Sequence, residues 1–176
     1  MKQITDKAFR GQPGLYEGEP AFLRLMAEQA PDGPALEVGV RHGYSLLLWA
    51  QVRQDRGQII GIDKVSDRRM RQNVARSGLP ITLVIGDSAT VPLGPSEFAF
   101  MFIDGNHRPE GIRADIARFM PMVMPGGVVV FHDYGRRREG PGPVIGVTDA
   151  VDEWQDVADW EVLGREQTML AFRRPQ

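Results

Sequence analysis

Four aspartates, Asp63, Asp87, Asp104 and Asp133, each close a short apolar run in this chain. One such acid signifies little, but four in succession are hard to obtain from solvated surface alone. A carboxylate at such a position accepts from neighbouring hydroxyls or holds a hard cation. His107 follows Asp104 by three residues and His132 directly precedes Asp133, adding two imidazoles, groups that titrate near neutral pH. Upstream, Glu37-Val38-Gly39-Val40-Arg41-His42-Gly43-Tyr44-Ser45 sets an acid before a Gly-x-x-x-Gly turn. Such a turn brings backbone N–H groups and a helix N-terminus close to a ligand that a Cβ would hold off. The spacing is not Gly-x-Gly-x-x-Gly, and Glu37 is poor company for pyrophosphate. It suits a ligand with a cationic or hydroxyl-rich part.

The elements that must position these groups alternate. Ala35 to Val38 reads as a strand, and Leu46, Leu47, Trp49 and Ala50 share one face of the helix that follows the turn. Further strands are expected at 58–63, 81–87, 98–104 and 128–131. Helices are expected at 20–28, from Ser66-Asp67 to Arg76, and from Pro109 to Met124, where Ile112, Ile116, Phe119 and Val123 recur at helical spacing and Pro121 is placed to kink or shorten the run. Val147, Val151, Trp154 and Val157 mark a last helix. The runs at 160–163 and 168–172, separated by Gly164 to Gln167, leave no room for a crossover and imply an antiparallel pair.

Continuous apolar strands alternating with helices define an α/β, Rossmann-like, mostly parallel sheet with helices on both faces and an antiparallel C-terminal strand. Right-handed crossovers put the C-terminal ends of the parallel strands on one rim, so the four acids and the glycine turn are expected to meet there. With 176 residues the chain suits one domain, residues 1–19 being an N-terminal arm or lid and 35–135 the cofactor-binding core. The absence of cysteine rules out disulfides, zinc-thiolate sites and thiol nucleophiles. A net charge of −2 gives no general attraction to nucleic acid, and no apolar run approaches a membrane span. A cytoplasmic protein is expected, with no nucleic-acid or membrane partner. Eight methionines and three tryptophans permit a homodimer interface.

The motif Leu36 to Ser45 resembles the first motif of S-adenosylmethionine-dependent O-methyltransferases of the catechol and caffeoyl-CoA type. Ile103-Asp104-Gly105-Asn106-His107 together with His132-Asp133-Tyr134 is more similar to the bacterial macrocin-type sugar O-methyltransferases. The resemblance covers about residues 35 to 135 and implies a class I methyltransferase fold and S-adenosylmethionine as cofactor. Its implied cofactor-binding residues are Gly39 and Gly43 closing over the methionine part, with Glu37 beneath the turn and Tyr44 and Ser45 at the helix start, Asp63 at the ribose hydroxyls, Asp87 and Ser88 at the adenine, and also Lys64 and Asp104. The acceptor it implies is a hydroxyl on a small molecule or sugar.

A sulfonium is already an activated methyl donor, so the protein must chiefly align it and help the acceptor lose a proton. A divalent cation, Mg²⁺ or Mn²⁺, lowers a hydroxyl pKa, and the resemblance implies Asp104 and Asp133 as ligands, with His107 as general base. The catechol type carries Asp-Asn where this chain has Asp133-Tyr134, and the macrocin type often carries two acids where the first is here His132. The third ligand therefore lies open between His132, Tyr134 and water. Arg136-Arg137-Arg138 is either an anion contact or a solvated loop. Two rival readings are a metal-independent methyltransferase with His107 as base, and a non-catalytic S-adenosylmethionine-binding module. A nicotinamide enzyme ranks behind both.

Overall fold

The central strands form where the sequence is apolar on every residue, because both faces of the sheet are covered. A computed structural model describes residues 14–136 and 146–176. Its elements are α1 (Glu19–Gln29), β1 (Ala35–Val38), α2 (Tyr44–Arg53), β2 (Ile59–Asp63), α3 (Arg68–Ser77), β3 (Ile81–Ile85), β4 (Phe98–Ile103), α4 (Pro109–Phe119), β5 (Val123–Phe131), α5 (Val147–Ala158), β6 (Glu161–Glu166) and β7 (Met169–Arg173). Along β4, Phe100 and Phe102 join Leu46, Trp49 and Leu23 under α1 and α2. Phe98, Met101 and Ile103 point the other way, to Ile112, Phe119 and Val151 under α4 and α5. Each face is thus a two-layer core sharing one sheet.

Among the described residues seven strands form a single sheet in the order β3-β2-β1-β4-β5-β7-β6. Strands β1 to β5 pair in parallel, and β7 runs antiparallel to both β5 and β6. The strand order reverses between β1 and β4, and a crevice opens at the carboxyl ends of strands at such a reversal. This is the class I methyltransferase architecture expected from the sequence.

Helix α3 is capped as expected, the Asp67 carboxylate accepting from the N–H groups of Arg69 and Met70, and it ends at Gly78 in the left-handed conformation. Helix α4 is shorter than expected. It stops at Phe119, Pro121 sits in a single 3₁₀ turn, and Val123 opens β5 instead of extending the helical face. Val157 does not join the apolar face of α5 but is 82% exposed. Among the described residues no helix is long and apolar enough to cross a membrane. Residues 1–13 of the expected arm and residues 137–145, with Arg137 and Arg138, lie outside the described residues.

Candidate active site

At the reversal point, the turn after β1 approaches the turn after β4 so closely that only glycine fits. Gly39 has φ 92°, and a Cβ there would fall on the Asp104 carbonyl. Gly43, φ 83°, caps α2 in the left-handed conformation. Between them Arg41, φ 50°, donates its backbone N–H to Asp63 Oδ2 at 2.6 Å, while Asp63 Oδ1 accepts from the Val65 N–H at 2.8 Å. Asp63 therefore orders the loop around itself.

A cavity of ≈ 560 Å³ opens here, lined by Gly39, Asp63, Lys64, Asp87, Ser88, Asp104, His107, His132, Asp133 and Arg136. That volume suits a cofactor-sized molecule. The sheet rim thus brings together all four strand-ending acids and both histidines beside the glycine turn. Lys64 Nζ lies 3.3 Å from Asp87 Oδ2, a solvent-exposed pair.

Glu37, Gly43, Tyr44 and Ser45 are not among the residues lining this cavity. Glu37 is fully buried under the turn, accepting from Ser45 Oγ at 2.7 Å and Trp49 Nε1 at 2.6 Å. Burial pushes its pKa up to about 8 against the opposing pull of those donors. Its place is to brace β1 against α2, holding the glycine turn from below.

At the other end of the cavity, Asp104, His107 and Asp133 form a cluster whose ligand atoms all lie within 4.8 Å of one another. His107 Nε2 is 3.1 Å from Asp104 Oδ1 and 3.3 Å from Asp133 Oδ2. The hydrogen bond to Asp104 raises the His107 pKa. Asp133 holds the left-handed conformation, φ 62°, and its Oδ1 accepts from Arg136 at 2.5 Å. Arg136 is thus partnered within the site.

His132 adjoins that cluster, its Nδ1 also lying 3.7 Å from Asp133 Oδ1. It is buried with Nδ1 3.1 Å from Asp104 Oδ1 and Nε2 3.2 Å from Glu19 Oε2. Burial opposes its charge, yet the hydrogen bonds to Asp104 and Glu19 raise its pKa to about 10. Tyr134 faces away, its hydroxyl donating to Asp152 on α5 at 2.8 Å. Glu19 escaped the sequence reading altogether. Its carboxylate also accepts from the Tyr16 N–H, the Thr168 N–H and Thr168 Oγ, tying α1 and the β6–β7 turn to the floor of the site. Its sole sequence signal is an acid beside Pro20 at a helix start, where an acid is ordinary.

A glycine turn, an acid closing the neighbouring strand and a cluster of carboxylates and imidazole meet at the switch point of a class I methyltransferase fold. The sequence profile of the methyltransferase domain family matches residues 36–134, and the chain belongs to that family. It is an S-adenosylmethionine-dependent methyltransferase. No curated protein sequence matches it significantly. Among solved structures it is similar to a structural-genomics target from Corynebacterium glutamicum, at TM-score 0.76 and 16% identity over 97% of this chain and 87% of that one. It is also similar to the O-methyltransferase TomG of Streptomyces achromogenes, solved with S-adenosylmethionine, at TM-score 0.65 and 19% identity over 96% and 85%. A third is the cofactor-bound Rv0187 protein from MTB, at TM-score 0.68 and 20% identity over 94% and 84%. At these identities the likeness is one of fold.

Proposed function

We propose that this protein transfers a methyl group to a hydroxyl oxygen of a small molecule or sugar, with a divalent cation at the Asp104–His107–Asp133 cluster. The observation that carries the reading is that this cluster opens into the same cavity as Gly39 and Asp63. In the reaction an oxygen lone pair displaces sulfur, the C–S bond breaks as the O–C bond forms, and the hydroxyl proton must leave. Gly39 and Asp63 hold the donor, and Asp104 lies between the donor turn and the proton-handling groups.

Two carboxylates and an imidazole at one point form a donor set that suits Mg²⁺, Mn²⁺ or Fe²⁺. When bound, such an ion supplies acidification and orientation of the acceptor hydroxyl. Asp104, Asp133 and His107 Nε2 would hold it. His107 cannot be ligand and base through the same nitrogen, so the metal-free reading is a distinct one. It is favoured by the direct His107–Asp104 hydrogen bond, a carboxylate-oriented imidazole facing the cavity mouth.

The test measures S-adenosylhomocysteine release over a panel of catechols, vicinal diols and sugars, before and after chelation. Loss of turnover with EDTA and recovery with Mn²⁺ or Mg²⁺ is expected. Turnover that survives EDTA but drops about 10²–10⁴-fold in His107→Ala selects the metal-free base. Asp63→Ala should weaken S-adenosylhomocysteine binding first, whereas His107→Ala should leave it nearly intact. Tight cofactor binding with no transfer to any acceptor would leave only a binding module.

A further inference from the structure

Glu19 is a fully buried carboxylate to which the reaction above gives no part. It opens α1, and its two oxygens divide their contacts. Oε1 accepts from the Thr168 N–H at 3.0 Å and from Thr168 Oγ at 2.7 Å. Oε2 accepts from the Tyr16 N–H at 2.7 Å and meets His132 Nε2 at 3.2 Å. The other nitrogen of the same ring reaches into the site, Nδ1 standing 3.1 Å from Asp104 Oδ1. A carboxylate outside the cavity is therefore one imidazole away from a carboxylate that lines it.

The sheet fixes the backbone at both ends of this link but not the side chains. The Asp104 N–H donates to the Val38 carbonyl at 2.8 Å, and the His132 N–H to the Ile103 carbonyl at 3.1 Å. About χ2, aspartate and histidine both turn over a broad, two-fold range. Phe102 meets the His132 ring in a T-shaped contact with centroids 6.0 Å apart, which a half-turn of the ring would leave in place. Hydrogen bonding tells the two orientations apart. Turned over, the ring would set carbons where Nδ1 and Nε2 now stand, and the buried Glu19 carboxylate would lose a donor. The observed orientation also brings His132 Nδ1 and His107 Nε2 to the same oxygen, Asp104 Oδ1, each at 3.1 Å, and so sets how that carboxylate is turned. We propose that Glu19 is a positioning residue for methyl transfer, selecting through His132 the direction in which Asp104 is held. The proposal rests on methyl transfer at this site and adds to it a residue of α1 that does not line the cavity.

The experiment compares variants of the full chain, each checked for folding by urea unfolding, in kcat on a panel acceptor that the wild type methylates and in S-adenosylhomocysteine affinity by calorimetry. Glu19→Ala should lower kcat by about 10- to 100-fold, the scale of a group misplaced by up to about 1 Å, with affinity nearly that of the wild type. His132→Phe keeps a ring and removes both nitrogens, so it should lose about as much. The double variant should lose no more than either, because the two residues act along one link. Thr168→Val removes a hydroxyl from the other Glu19 oxygen and should lower stability with kcat nearly unaltered. His132→Phe also serves as the second variant if Glu19→Ala does not fold. Unaltered kcat in either folded variant, additive losses in the double variant, or an equal fall in Thr168→Val overturns the positioning role while methyl transfer stands. A wild type that methylates no acceptor removes the methyl-transfer reading and this role with it.

Discussion

Replacing Glu37 by glutamine should change how stability depends on pH while leaving the cofactor site in place. Glu37 is fully buried, and burial raises its pKa from an ordinary 4.5 to about 8. Between those values the folded protein keeps a proton that the unfolded chain has released. Unfolding therefore releases a proton in this window, and stability falls as pH rises. The contribution is fully present below the unfolded value and is lost as pH climbs through the folded one. One proton corresponds to about 1.4 kcal/mol per pH unit, or at most about 3 kcal/mol between pH 5 and 7.5. Glutamine cannot ionise. Its carbonyl can accept from Trp49 Nε1 and its amide can donate to Ser45 Oγ, so both contacts have a replacement.

Urea unfolding of both proteins across that pH range is the assay. Other titrating groups are common to both, so the difference between the two curves isolates Glu37. Glu37→Gln should gain on the wild type steadily with rising pH, by up to about 3 kcal/mol. A constant difference would mean that Glu37 is already ionised when folded, and the burial argument would fail. Calorimetry with S-adenosylhomocysteine should give nearly the wild-type affinity, because Glu37 braces the turn from below without lining the cavity.

Gly39→Ala places a Cβ on the Asp104 carbonyl at φ 92°, costing about 1–2 kcal/mol for the left-handed conformation alone and forcing the β1 and β4 turns apart. S-Adenosylhomocysteine binding should vanish in calorimetry, and wild-type affinity in this variant would contradict the close approach. Arg53→Ala removes a buried guanidinium that donates to the carbonyls of Ala27, Ala30, Pro31 and Gly33. It should cost about 3 kcal/mol in urea unfolding with cofactor affinity unchanged, and a loss under about 1 kcal/mol would show those carbonyls find other partners.

The sequence by itself determined the architecture and the rim. Apolar runs such as Phe98 to Ile103 are buried on both faces whatever surrounds them, and right-handed crossovers leave little choice about where the closing aspartates go. The Gly39 and Gly43 turn was legible for the same reason, since left-handed backbone is a local property.

Tertiary structure alone decided which groups face one another. His107 gathers with Asp104 and Asp133 into one cluster, while His132 bridges Asp104 to Glu19, 113 residues from it in sequence. Arg53 and Glu19 read as ordinary helix residues, and each acquires its role from segments that pack on it only after the chain has folded. A strand's apolar pattern is written along its own few residues. The partners of a buried charge are scattered across the chain, and no local spacing records them.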